Sequence, residues 1–152
     1  MNIRSGTYIK STVALTDTIF ENSLLLISAH NNEGAVGFVI NQPYHRALNE
    51  LEEFKHSVAF PLYNGGPVDQ EHIFFIHQRP DIIADGTLIN NSLYFGGNFK
   101  QALTAINNKT LSAKDIKLFI GYCGWNVDEL EAEVVEGSWT IEDSVNHNVF
   151  MH

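Results

Sequence analysis

A single cysteine, Cys123, stands among the 152 residues, so no disulfide can form within the chain, and a reducing compartment suits it. Long apolar runs are missing too. No stretch reaches the roughly 18 apolar residues of a membrane span, and the amino terminus lacks the apolar centre of a secretory signal. The expectation is a cytoplasmic protein with no membrane contact. Positive charge is sparse: nine Lys and Arg face 18 Asp and Glu, a formal net charge of −9. The basic residues are scattered, whereas gripping a duplex through several phosphates needs them clustered, so direct nucleic-acid binding is disfavoured. Repeats, low-complexity tracts and Pro/Ser-rich linkers are also lacking, and one domain over residues 1–152 is expected, with 142–152 a loose tail.

What is present is an ordinary globular composition, 44% hydrophobic and 18% charged, enough to bury roughly two thirds of the unfolded surface. The strongest structural signal runs from Ala29 to Pro43. Leu24 to Ile27 and Ala35 to Ile40 are apolar runs separated by Asn31-Asn32-Glu33-Gly34, the pattern of two buried strands and a tight loop. Gly37, inside the second run, marks a bulge or a close backbone approach.

Further strands are expected at Gly6 to Lys10, His72 to His77, Ser92 to Phe95, Ile116 to Tyr122 and Trp139 to Ile141. Ala47 to Phe54 reads as a short amphipathic helix. Phe99, Ala102, Leu103 and Ile106 mark a second, capped by Asn98, and Val127 to about Glu136 a third, with Asn126 and Glu129 as a capping pair. The fold class is α+β: a single domain with a curled, barrel-like mixed sheet covered by about three helices.

The series His30-Asn31-Asn32-Glu33-Gly34-Ala35-Val36-Gly37, continuing to Pro43, then Tyr63-Asn64-Gly65-Gly66-Pro67-Val68, Gly121-Tyr122-Cys123-Gly124-Trp125 and Leu130-Glu131-Ala132-Glu133, resembles the AlgH/YqgE family of bacterial proteins. The resemblance implies a bifurcated, barrel-like α+β fold, no established enzymatic activity and a link to transcriptional regulation. Family members usually carry a small residue in place of Cys123 and a Gly-Gln pair in place of Asp128-Glu129.

Each candidate site has a plain structural alternative. Cys123 resembles a nucleophile at a strand-to-helix turn, but it lacks the second glycine of such an elbow and an identifiable base, and a small buried residue is the expected role. The backbone N–H groups of Gly124 to Val127 at a helix start, with Gly65 and Gly66 as a second cradle, are suited to a small anion. His30, Glu33, His72 and His77 are the metal-ligand types at hand, yet His72 and His77 point to opposite faces of a strand and His30 with Glu33 supplies only two ligands. No metal or other cofactor is expected. Glu131 falls within the apolar stripe of the last helix, so its carboxylate needs a partner: Arg46, Arg79, a histidine or backbone N–H groups of the 29–43 loop. Trp125 and Trp139 are expected in the core, with Trp125 the alternative partner-binding anchor.

The candidate ligand-binding set is therefore His30, Asn31, Glu33, Gly34 and Asn41, with Gly65, Gly66, Gly124, Trp125 and Glu131. A regulatory binding module is the leading function. Its partner would be a protein or a small anionic ligand, and a homo-oligomer is allowed. The alternative is an enzyme or nucleotide-handling protein with a site between loops 30–34, 65–68 and 121–125, which requires those loops to meet in one pocket.

Overall fold

The computed structural model describes residues 2–151. Among them are nine strands, β1 (Tyr8–Ser11), β2 (Leu24–Asn31), β3 (Gly34–Val39), β4 (Leu62–Asn64), β5 (Val68–His77), β6 (Thr87–Asn90), β7 (Leu93–Phe95), β8 (Ile116–Asn126) and β9 (Trp139–Glu142). Two α-helices accompany them, α1 (Phe99–Asn107) and α2 (Glu129–Val135). The strands form one sheet in the order β6-β7-β5-β8-β3-β2-β1-β9, with β4 added to β8. All pairs are antiparallel except β4 with β8, so the sheet is mixed.

β8 is where the sheet forks. Its first half pairs with β5 and, in parallel, with β4 (Leu62 opposite Leu118). Its second half takes β3 instead, from Gly37 opposite Cys123 to Gly34 opposite Asn126. The two halves also differ in parity. Ile116, Leu118 and Ile120 pack under α1 while Phe119 faces the opposite cluster, and after Gly121 that second cluster is rejoined by Tyr122. Gly121, at φ 73°, shifts the alternation by one residue, which is how a bulge redirects a strand.

Alternation along the other strands divides the core. Leu24 and Leu26 of β2 join Tyr8, Phe38, Ile76, Ile89 and Phe119, whereas Leu25 and Ile27 join Ile9, Trp125, Leu130 and Trp139. Tyr8 of β1 and Ile89 of β6 lie near opposite ends of the strand order yet share a cluster, so the sheet must curl until its ends approach. Phe38 sits at the centre of that curl, with ring centroids 4.9 Å from Phe119 and 5.7 Å from Phe95.

The hairpin between β2 and β3 matches the sequence pattern. Its bulge falls at Ser28, the extra residue between the pairs Ile27–Gly37 and Ala29–Val36. α1 starts as expected, with the Asn98 side chain accepting from the Gln101 N–H at 3.0 Å.

Other elements differ. Residues 47–54 form two 3-10 turns, Leu48–Glu50 and Glu52–Phe54, because Leu51 between them is extended at ψ 132°. Leu48 instead ties this segment to Phe60 by a backbone hydrogen bond. The last helix begins at Glu129 rather than Val127, since β8 keeps pairing with β3 through Asn126 and Asp128 turns the chain at φ 65°. Val127 is exposed and contributes nothing to the expected apolar stripe. In the stretch 142–152, expected as a loose tail, residue 142 ends β9 and residue 152 lies outside the described residues. Ser144–Asn146 and Val149–Met151 form 3-10 turns, and Val149 is 1% exposed with its carbonyl accepting from Lys117 Nζ at 2.9 Å. β6 arises in a stretch without a legible pattern.

Candidate functional site

The site-forming segment is the ribbon of β2, β3 and the second half of β8. Register places Ala29, Val36 and Gly124 in one row across it and Asn31, Gly34 and Asn126 in another. Both rows belong to the same face by the two-residue repeat, the face that looks into the mouth of the curl beside Tyr122. A groove of about 350 Å³ lies there, lined by these residues together with Glu33, Glu129, Ala35 and Trp125. Its floor is shallow because Gly124, Gly34 and Ala29 carry little or no side chain. Its ionisable lining side chains are Glu33 and Glu129, both exposed, together with the Tyr122 phenol, and no lysine or arginine is among them.

The intervening row, His30, Ala35 and Trp125, faces the other way, under α2. There His30 Nε2 meets Glu131 Oε2 at 2.7 Å. The imidazole hydrogen bond, with a smaller contribution from the helix backbone, holds the Glu131 carboxyl below the usual glutamate range. The carboxylate is thus the acceptor and Nε2 the donor. Two residues on, one oxygen of Glu133 accepts from both indole N–H groups, Trp125 at 3.0 Å and Trp139 at 2.9 Å. The two rings meet edge to face at 6.3 Å. With Leu130 fully buried and Val134 packed against the same cluster, α2 is fixed to the sheet by two apolar side chains and two carboxylates.

The ten expected site residues therefore divide. Asn31, Glu33, Gly34, Gly124 and Trp125 line one groove, and Asn31 also orders the turn by accepting from the Glu33 N–H at 2.8 Å. His30 and Glu131 form a pair behind it, so His30 is joined to Glu131 rather than to Glu33. Asn41 serves elsewhere. It accepts from the Leu24 N–H at 3.0 Å and donates to the Asn22 carbonyl at 2.9 Å, clasping the start of β2.

Gly65 and Gly66 are not with them. They cross under β8, where a Cβ on Gly65 would lie 2.4 Å from the Gly121 carbonyl oxygen and one on Gly66 only 2.3 Å from Tyr122 backbone. Their small size serves that crossing, and Gly66 borders a separate cavity of about 330 Å³ with Gln42, Asn64 and Gln70. Loops 30–34 and 121–125 share the groove, while 65–68 packs against the start of the latter, with Val68 opposite Tyr122, and borders the other cavity instead.

The anion site expected at Gly124 to Val127 also changes character. Residues through Asn126 are strand, not a helix start, and α2, seven residues long, opens with Glu129 and Glu131 in its first turn. Cys123 is buried, its thiol 3.4 Å from the Gly65 carbonyl, and burial pushes its pKa up to about 12. A thiol in that state is a small core group, not a nucleophile. Among the described residues no group of three or more His, Cys, Asp or Glu could hold a metal ion. No helix among them is long and apolar enough to cross a membrane.

Sequence reasoning missed the role of Glu133. The signal was present: two core tryptophans need acceptors for their N–H groups, and Glu133 stands between them in the chain.

The chain and its fold have counterparts among known proteins. The AlgH-like family model matches residues 8–152. A UPF0301 protein of Chlorobaculum parvum is 32% identical over 148 residues, covering 97% of this chain and 79% of that protein. A UPF0301 protein of Cytophaga hutchinsonii is 35% identical over 150 residues, covering 98% and 82%. The solution structure of the AlgH protein from Pseudomonas aeruginosa superposes with a TM-score of 0.73 at 26% identity, covering 93% of this chain and 78% of that one. A crystal structure of a Corynebacterium diphtheriae protein gives a TM-score of 0.75 at 17% identity, covering 99% of this chain and 85% of that one, a likeness of fold alone.

Proposed function

The chain belongs to the AlgH-like family, and on that premise we propose that it is a cytoplasmic binding module that acts on transcription indirectly, by holding a protein partner. The observation that carries this reading is the groove over β2, β3 and β8: an open sheet face with a bare floor, lined by Glu33 and Glu129 and by no cation. A basic, extended segment of a partner matches that chemistry. Its amines and guanidinium groups meet the two carboxylates, and the small floor admits its backbone. The same carboxylates repel a small anion, and the net charge of −9 opposes a duplex.

The test is amide-shift mapping on isotope-labelled protein with a short lysine-rich peptide, an acidic peptide, inorganic phosphate and a DNA duplex as separate probes. The expected result is shifts at residues 31–36 and 122–126 with the basic peptide, weakened by salt and lost in the Glu33→Gln/Glu129→Gln variant. Both residues are exposed, so that variant keeps its fold. Phosphate shifting those amides in place of the peptide, or duplex binding of equal strength, overturns the proposal.

A further inference from the structure

A cavity of about 470 Å³ lies between the 3-10 turns of 48–54, β5 and the start of α1, and it shares no lining residue with the groove. Its walls are Leu51, Phe54, Ile73 and Phe99, with Tyr44 beside them, all only half-buried although packed against the core beneath α1. The aromatic wall is braced: Phe99 meets Phe54 edge to face at 5.8 Å and Phe75 at 5.7 Å. Apolar surface left open around a concave space of this size is the usual receptor for the apolar body of a small molecule.

The rim carries both signs of charge, and part of it is already neutralised. His72 is paired with Asp69 at 2.6 Å and Glu52 with Lys55 at 3.1 Å. Among the described ion pairs, Arg46 has no carboxylate, and Glu53 and Glu71 have no cation. Glu53, Glu71 and Arg46 all line the cavity, so carboxylates and a guanidinium border the same space. A purely apolar ligand would leave these groups unused. An organic anion would face two carboxylates, and an organic cation would face Arg46.

We infer that this cavity takes a small zwitterion with an apolar body, of the class of a large apolar α-amino acid. The side chain lies between Leu51, Phe54 and Phe99, the carboxylate meets Arg46, and the ammonium meets Glu53 and Glu71.

The test is saturation-transfer and amide-shift NMR with L-phenylalanine and L-leucine, set against 3-phenylpropionate and 2-phenylethylamine, each of which lacks one charge. Binding of the amino acids is expected, with shifts at Ile73 and Phe99 and about tenfold weaker binding of each single-charge analogue. Arg46→Glu should abolish amino-acid binding while leaving the melting temperature unchanged, because Arg46 is exposed and outside the ion pairs. Glu53→Gln/Glu71→Gln, also at exposed positions, should do the same. No binding at millimolar concentration, equal binding of all four compounds, or shifts confined to residues 31–36 and 122–126 would overturn the inference.

Discussion

Glu133→Ala tests the attachment of α2 most directly. The substitution removes the single acceptor oxygen shared by the indole N–H groups of Trp125 and Trp139, residues that are 9% and 2% exposed. Each orphaned donor in such surroundings costs about 1–3 kcal/mol. Glu133 itself is only half-buried, so water can reach part of the vacated space, and the lower half of the summed range applies, about 2–4 kcal/mol. For a domain of this size that lowers the melting temperature by roughly 5–15 °C. Urea and thermal unfolding followed by tryptophan fluorescence supply the assay, with Glu136→Ala, an exposed glutamate just past the same helix, as the control. Glu133→Gln keeps one acceptor without the charge and should fall between. A double-mutant cycle with Trp139→Phe isolates one of the two hydrogen bonds. If Glu133→Ala and Glu136→Ala unfold within about 0.5 kcal/mol of one another, the clamp contributes nothing and the account of α2 is wrong.

Glu131→Ala should destabilise the domain more than Glu129→Ala, since Glu131 bonds His30 while Glu129 is exposed; equal melting temperatures would count against the pair. Because the folded-state pKa of Glu131 is depressed, the advantage of wild type over Glu131→Gln is complete above the ordinary carboxylate pKa of about 4.3 and fades as pH falls through the lowered value, which unfolding titrations across that range will read. Gly65→Ala should cost more than about 3 kcal/mol or prevent folding, since its Cβ would enter the Gly121 carbonyl, whereas Gly124→Ala should stay within about 0.5 kcal/mol. Comparable loss in both variants would refute the distinction drawn between the two glycines. Lys117→Met removes the donor to the Ile40 and Val149 carbonyls, and amide exchange at residues 149–151 should accelerate while Leu25 and Phe38 stay protected.

The β2–β3 hairpin and α1 are legible because their signals are local: alternation around a polar loop in one, an asparagine cap before a 3.6-residue stripe in the other. The pieces that depart from their local pattern depend on partners distant in the chain. Residues 47–54 carry apolar residues at helical spacing, but Leu48 is pulled onto Phe60 and the segment closes as two tight turns. α2 starts later than its capping pair suggests because nothing near Asn126 announces that β3 will keep β8 extended to that residue. The shift of parity at Gly121 is likewise invisible in a strand that reads as one apolar run from Leu118 onward.

The candidate site is legible in part for the same reason. Loops 30–34 and 121–125 meet because β3 pairs with β8, a long-range fact the motifs carry only through family resemblance. Gly65 and Gly66 look equivalent to Gly124 as residues, yet they answer to different demands. Gly65, Gly66 and Gly121 are small because backbones cross within van der Waals reach, and a side chain at any of them would collide with a carbonyl. At Gly124 an added Cβ would meet only Tyr122 Cε2, at 3.6 Å, an ordinary contact. The fold has no steric need for glycine there. Any larger residue would fill the floor of the groove between Ala29, Val36 and Asn126, so the bare backbone at Gly124, which the sheet does not require, is what the proposed binding role calls for.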